Sequence, residues 1–138
     1  DKENPNKINY NYFKKFVSKG VIKYLGFDDN PLPIIDKCNC VVLPSYREGL
    51  SRSLLESMAM GRPIITSKVP GCEELVRNNS NGFLCKVKNK EDLAAKMIAI
   101  LDLKKDEIYE MGEKGKKIIK EEYANEIVIK KFLKLFDA

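Results

Sequence analysis

Histidine and tryptophan are both absent from this chain. Without histidine there is no Ser-His-Asp or Cys-His nucleophilic machinery, and a zinc site would lose its commonest nitrogen ligand. The four cysteines, Cys38, Cys40, Cys72 and Cys85, form one C-x-C pair and two distant singles rather than paired C-x2-C knuckles. They read as buried reduced thiols. No apolar run approaches the length that crosses a bilayer. The opening Asp1-Lys2-Glu3-Asn4-Pro5 is too polar for a signal peptide, so a cytoplasmic domain is the expectation. The net charge of +5 is mixed with acids along the last third rather than gathered into a run. Nucleic acid is therefore not an expected partner, while lysines facing anionic lipid headgroups, a peripheral membrane contact, stay open as a weaker reading.

What is present fits one globular domain over residues 1–138, with 43% hydrophobic and 33% charged residues. The first residue is not Met and a helical pattern begins almost at once, so the chain is expected to be part of a longer protein. Apolar spacing predicts a helix over residues 8–19, closed by Gly20, and a short strand over residues 21–25. A short helix over 33–37 precedes an apolar run at 40–43 of the kind buried on both sheet faces, ended by Pro44. A helix over 52–60 lies between Ser51 as N-cap and Gly61 as C-terminal breaker. Strands over 63–66 and 83–87 follow, with a helical turn at 73–76 and a turn cluster at 78–82 between them. Three amphipathic helices, over 91–101, 105–122 and 125–136, complete an α/β domain with a parallel sheet flanked by helices.

The most informative stretch joins the apolar strand, through Pro44 and a loop holding Glu48 and Gly49, to the helix that carries Glu56, eight positions after Glu48. Such a layout suits an anionic, nucleotide-type ligand at the carboxyl edge of a parallel sheet, with backbone N–H groups at a helix start. Gly49 permits close backbone approach, and the N–H groups of Gly49, Leu50 and Ser51 are candidate phosphate donors. The helix reads as buried nearly all round, with Glu56 its only charge after Arg52. Its carboxylate then needs a specific partner, either ligand hydroxyls or a salt bridge to a neighbouring base. Arg52, a cation at the positive end of the helix dipole, fits either an anion bound there or simple exposure to water.

The string Leu43-Pro44-Ser45-Tyr46-Arg47-Glu48-Gly49-Leu50-Ser51-Arg52-Ser53-Leu54-Leu55-Glu56-Ser57-Met58-Ala59 carries an E-x7-E motif. With Gly61-Arg62-Pro63-Ile64-Ile65, Val69-Pro70-Gly71-Cys72-Glu73-Glu74-Leu75-Val76 and Asn81-Gly82-Phe83-Leu84, it resembles the nucleotide-sugar-binding half of retaining glycosyltransferases of the GT-B fold, the group 1 family. The resemblance runs from about Val21 to the C-terminus. It implies the C-terminal, Rossmann-like half of a GT-B enzyme, with a role for each matching residue. Glu56 would bind the ribose hydroxyls, and Glu48, the residue carried over as catalytic, would contact hydroxyls of the donor sugar. Gly49, Leu50 and Ser51 would meet sugar and diphosphate, with Arg52 beside them. The turn Leu25-Gly26-Phe27 would hold the base, and the loop Val69-Pro70-Gly71-Cys72 would line the same cleft.

The implied reaction moves a sugar from a nucleotide-diphosphate donor, a UDP-sugar in the relatives these strings resemble, to a glycan or lipid-linked acceptor with retention of configuration. Dipoles and cations that steady the departing diphosphate would carry the chemistry, rather than a protein nucleophile. No D-x-D pair stands near the motif, so neither a metal nor another cofactor is called for. By the resemblance, the family's diphosphate-binding arginine and lysine would lie upstream of this segment, in elements expected to precede it along with the N-terminal, acceptor-binding domain. The chain alone is therefore expected to be inactive. The strand over 21–25 would either pair with the strand over 40–43 or leave an edge open to another molecule. A non-catalytic nucleotide- or partner-binding module and a UDP-sugar epimerase are the alternatives.

Overall fold

A computed structural model describes residues 8–136 and divides the chain after Asn30 into two compact units. In the first, α1 (Tyr10–Ser18) starts where the Asn9 side chain accepts the N–H groups of Asn11 and Tyr12, and ends at Gly20, in the left-handed region with φ 69°. The segment expected to be a strand over 21–25 is not one. It bends at Val21 and Ile22, whose N–H groups donate to the Phe16 carbonyl at 3.0 and 3.4 Å, and Tyr24 meets Phe13 of α1 edge to face, ring centroids 5.4 Å apart. A strand needs a neighbouring backbone to complete its ladder, and its own unit offers only a helix.

The second unit is a three-layered α/β arrangement. Its parallel sheet has the order β1 (Val41–Leu43), β2 (Ile64–Ser67), β3 (Gly82–Cys85). Val41 pairs with Ile64, and Ile64 with Gly82. This register sorts side chains by the two-residue period of a strand. Ile64 faces a core of Leu54, Met58, Cys72 and Leu75, against which Val41, Leu43 and Leu84 also pack. Ile65 faces Ile100 and Met111 on the other side, with Val42 and Phe83. Only central β2 is buried along its whole length. β1, expected to be buried on both faces, is half-buried because it lies at the sheet's edge.

Helices α2 (Leu32–Asp36), α3 (Arg52–Ala59), α4 (Lys90–Leu101), α5 (Lys105–Ile118) and α6 (Asn125–Leu133) lie close to their predicted positions. α3 closes with paired bonds around Gly61 (φ 68°): the Gly61 N–H donates to Met58 O at 2.9 Å, and the Arg62 N–H to Ser57 O at 2.9 Å. A Cβ on Gly112 would stand 2.0 Å from the Gly61 carbonyl oxygen, which explains a glycine in the middle of α5. The helix predicted to reach residue 122 instead changes to a π turn, Ile119–Tyr123. That turn sets Ile118, Ile119 and Tyr123 against the first core, while Arg77 donates to both Glu122 carboxylate oxygens at 2.9 and 3.1 Å. The apolar residues of the last helix do not cover the sheet: Ile129, Phe132 and Leu133 are exposed.

Candidate functional site

All three strands end at one edge, and β1 delivers the motif there. Pro44, which has no N–H to extend the ladder, turns the chain into the loop that leads to α3. Thr66 fastens the end of β1 to β2, its Oγ1 donating to the Leu43 carbonyl at 2.8 Å. Two residues on, the Ser45 hydroxyl donates to Glu48 Oε1 at 2.7 Å and orients that half-buried carboxylate. The loop Val69–Cys72 lies directly against Glu48 and Gly49. Gly71 (φ 83°) makes this possible, since a Cβ there would fall 1.9 Å from the Gly49 oxygen and 2.8 Å from that of Glu48. The Gly71 carbonyl accepts the Ser51 N–H at 3.3 Å, and the Gly71 N–H donates to Glu74 Oε2 at 2.7 Å.

Ser51 takes the N-cap position in extended geometry, yet its side chain makes no capping bond and its hydroxyl lies 3.2 Å from that of Ser53. The first-turn N–H groups of α3 are thus left without a side-chain cap, at the positive end of the helix dipole. Of the three loop N–H groups expected to serve a phosphate, that of Ser51 is already engaged by Gly71, because the two loops pack backbone to backbone. Gly49 and Leu50 are exposed, and open space surrounds the position a Gly49 Cβ would take.

α3 is not buried all round. Leu54, Ser57 and Met58 are buried against the sheet, α5, α2 and the π turn, whereas Arg52, Ser53 and Ala59 face solvent on the side that these elements leave open. Arg52 runs along the surface and donates from Nε to Glu56 Oε1 at 2.8 Å, with side-chain exposures of 90% and 28%. Of the alternatives the sequence leaves open, the structure thus contains the salt bridge for Glu56 and solvent exposure for Arg52. Gly26 and Phe27 belong to the first unit, where Gly26 occupies a left-handed turn (φ 80°) and Phe27 is exposed.

The sequence reading passes over the residues that hold this loop in shape. Ser45, three before Glu48, and Glu74, three after Gly71, stand at turn spacing and were legible in principle. Thr66 has its partner 23 positions away and gives no local signal. All four cysteines are free thiols, with Cys72 and Cys85 buried. Burial raises the Cys72 thiol above its ordinary range. The Thr66 hydrogen bond opposes that rise, and the Glu48 and Glu74 charges add to it. A group so disposed stays protonated and is no nucleophile. Among the described residues no cluster of three or more Cys, Asp or Glu side chains is placed to hold a metal ion. No described helix is long and apolar enough to cross a membrane.

A parallel α/β sheet with an uncapped helix start and a carboxylate-bearing loop at its carboxyl edge is a Rossmann-like domain, resembling the C-terminal half of a GT-B fold and partial relative to the whole. The profile of the family described as "Glycosyl transferases group 1" matches residues 10–118, and the chain belongs to that family. It is 32% identical over 123 residues to the N,N'-diacetylbacillosaminyl-diphospho-undecaprenol alpha-1,3-N-acetylgalactosaminyltransferase of Campylobacter jejuni, covering 89% of this chain and 32% of that protein. Among solved structures, a TarM mutant from S. aureus in complex with Fondaparinux, alpha-GlcNAc-glycerol and UDP superposes with a TM-score of 0.81 at 26% identity, over 96% of this chain and 27% of TarM. The C-terminal domain of LpcC from Francisella tularensis superposes with a TM-score of 0.71 at 22% identity, over 88% of this chain and 66% of that domain. The chain spans about a third of the length of the curated relative.

Proposed function

We propose that this chain is the donor-binding part of a retaining glycosyltransferase, with residues 1–138 acting as one donor domain that takes a UDP-sugar. The observation that carries the reading is the uncapped start of α3 immediately after the Glu48-Gly49 loop, at the carboxyl edge of the sheet. In this reading the N–H groups of Gly49, Leu50 and the first turn of α3 meet the diphosphate, and Glu48, held by Ser45, binds hydroxyls of the donor sugar. Glu56 exchanges Arg52 for the ribose hydroxyls, and Arg52 stays beside the donor at the start of α3. Gly26 and Phe27 serve the base. UDP in the TarM complex supports the choice of nucleotide.

The sugar passes to a glycan or lipid-linked acceptor in polysaccharide or glycoconjugate biosynthesis, as the name of the Campylobacter relative suggests for that enzyme. An N-terminal domain supplies acceptor contacts and completes the cleft, so the isolated chain binds donor without turnover. The exposed Ile129, Phe132 and Leu133 of α6 are the surface proposed to meet that domain, with Lys130, Lys131 and Lys134 beside them as the peripheral membrane contact. Calorimetry with UDP, ADP and GDP, alongside Glu56→Ala, tests the assignment. UDP is expected to bind best and to lose about tenfold in affinity on substitution, as for a charge-assisted hydrogen bond. Equal binding of all three nucleotides would refute the choice of UDP, and no effect of the substitution would refute the ribose role.

A further inference from the structure

Beside the Glu48 loop, on the side of the sheet edge where β2 and β3 end, lies a half-open cleft of about 360 Å³. Buried Ser67 lies at the end of β2, Tyr46 forms the wall shared with the Glu48 loop, Lys86 and Lys88 approach from the β3–α4 connection, and Lys90 from the first position of α4. Glu91 also lines the cleft and pairs with Lys90 at 3.8 Å, and the Asp92 carboxylate accepts the Lys86 backbone N–H at 2.7 Å. Among the described residues neither Lys86 nor Lys88 has an acidic side-chain partner for its ammonium. Lys88 is also one of two described non-glycine residues with positive φ, at 57°. Its Nζ stands 5.4 Å from the centroid of the Tyr46 ring, a cation–π contact that holds the charge at the cleft wall. A left-handed conformation in a long-chain residue persists only where its surroundings fix it, and such residues gather at ligand sites.

From this arrangement we infer that the cleft binds a phosphate or diphosphate group carried by the acceptor, next to the donor sugar. The inference rests on the glycosyltransferase reading for the word acceptor, but the anion site stands on the cleft itself. Compact, strongly hydrated ammonium groups without carboxylate partners suit a multiply charged phosphate oxyanion. Tyr46, which lines the cleft, stands two residues before Glu48 in the same loop, so the proposed anion site and the carboxylate proposed to hold the donor sugar share that loop. Donor and acceptor charges then occupy separate subsites on one edge.

The test is an amide-resolved NMR titration of the 138-residue chain with inorganic pyrophosphate, first alone and then in saturating UDP, for the native sequence and for Lys86→Gln/Lys88→Gln. Pyrophosphate should shift Tyr46 and residues 85–91 saturably, with and without UDP, and the double substitution should weaken that response at least tenfold while leaving UDP shifts at residues 49–56 in place. These lysines are exposed, so the variant should keep its native spectrum elsewhere; Lys88→Gly, which relieves the positive φ while removing the charge, must show the same loss. Competition between UDP and pyrophosphate at residues 85–91 would overturn the separate subsite. So would a diffuse, unsaturable response of all lysines. A failure of UDP to shift residues 49–56, with the pyrophosphate response intact, would count against the donor reading and leave the anion site supported. Cosedimentation with phosphatidylglycerol vesicles distinguishes the remaining source of phosphate: lysine-dependent vesicle binding without a pyrophosphate response would assign the charges to a lipid surface and overturn the proposal.

Discussion

Gly71 and Gly49 touch each other, yet substitution by alanine should separate a structural from a ligand-facing role. At Gly71 a Cβ falls 1.9 Å from the Gly49 oxygen, and the backbone has φ 83°. Left-handed geometry costs alanine about 1–2 kcal/mol. Parting the loops by the ~1 Å or more needed for ordinary contact would also break the Ser51 N–H to Gly71 O bond, worth about 1 kcal/mol. A smaller unfolded-state entropy returns roughly 0.5–1 kcal/mol. The net expectation for Gly71→Ala is a loss of about 2 kcal/mol in urea unfolding, with UDP affinity reduced at least tenfold because the Glu48 loop is displaced. Gly49→Ala meets open space and a backbone without positive φ. Its stability should stay within about 0.5 kcal/mol of the native chain, while UDP affinity falls as the new methyl occupies the space proposed for the diphosphate. Equal destabilisation by both substitutions, or unchanged UDP affinity for Gly49→Ala, would refute this reasoning.

Three further outcomes are expected. Gly112→Ala improves helix propensity by about 1 kcal/mol, yet it drives a methyl into the Gly61 carbonyl; thermal unfolding should show a net loss of about 1–3 kcal/mol, and a stabilised variant would mean that α5 and the end of α3 do not meet as described. Burial, and then the neighbouring Cys38, push the Cys40 thiol up to about 11 from an ordinary 9.0. The unfolded thiol therefore ionises first, and stability is lost as pH rises from 9 to 11, by about 2 kcal/mol. Urea unfolding of Cys40→Ala across that window should lack this component of the decline. Removing one exposed partner of the Arg52–Glu56 pair should cost no more than about 0.5 kcal/mol, so Arg52→Ala, which also takes a cation from the positive end of α3, should leave the denaturation midpoint almost unmoved.

Elements with local signals follow from the chain alone. Gly20 and Gly61 as helix ends, Pro44 as a strand end and the 3.6-residue spacing of the helices act within a turn or two of chain, and the structure has each of them in place. The motif from Glu48 to Glu56 was legible for the same reason: strand, loop and helix start are consecutive. Tertiary structure decided whatever depends on a partner distant in sequence. Residues 21–25 have strand-like composition but no ladder within their unit, and β1 reads as a central strand although its position in the sheet makes it an edge. The composition of α3 reads as buried all round, but burial is set by what packs on a helix, and Ala59 found nothing to cover it. Loop packing likewise spent the Ser51 N–H on Gly71 and brought Lys88 over Tyr46 across 42 positions of chain, contacts that no period or spacing announces because they exist only once the sheet edge has assembled.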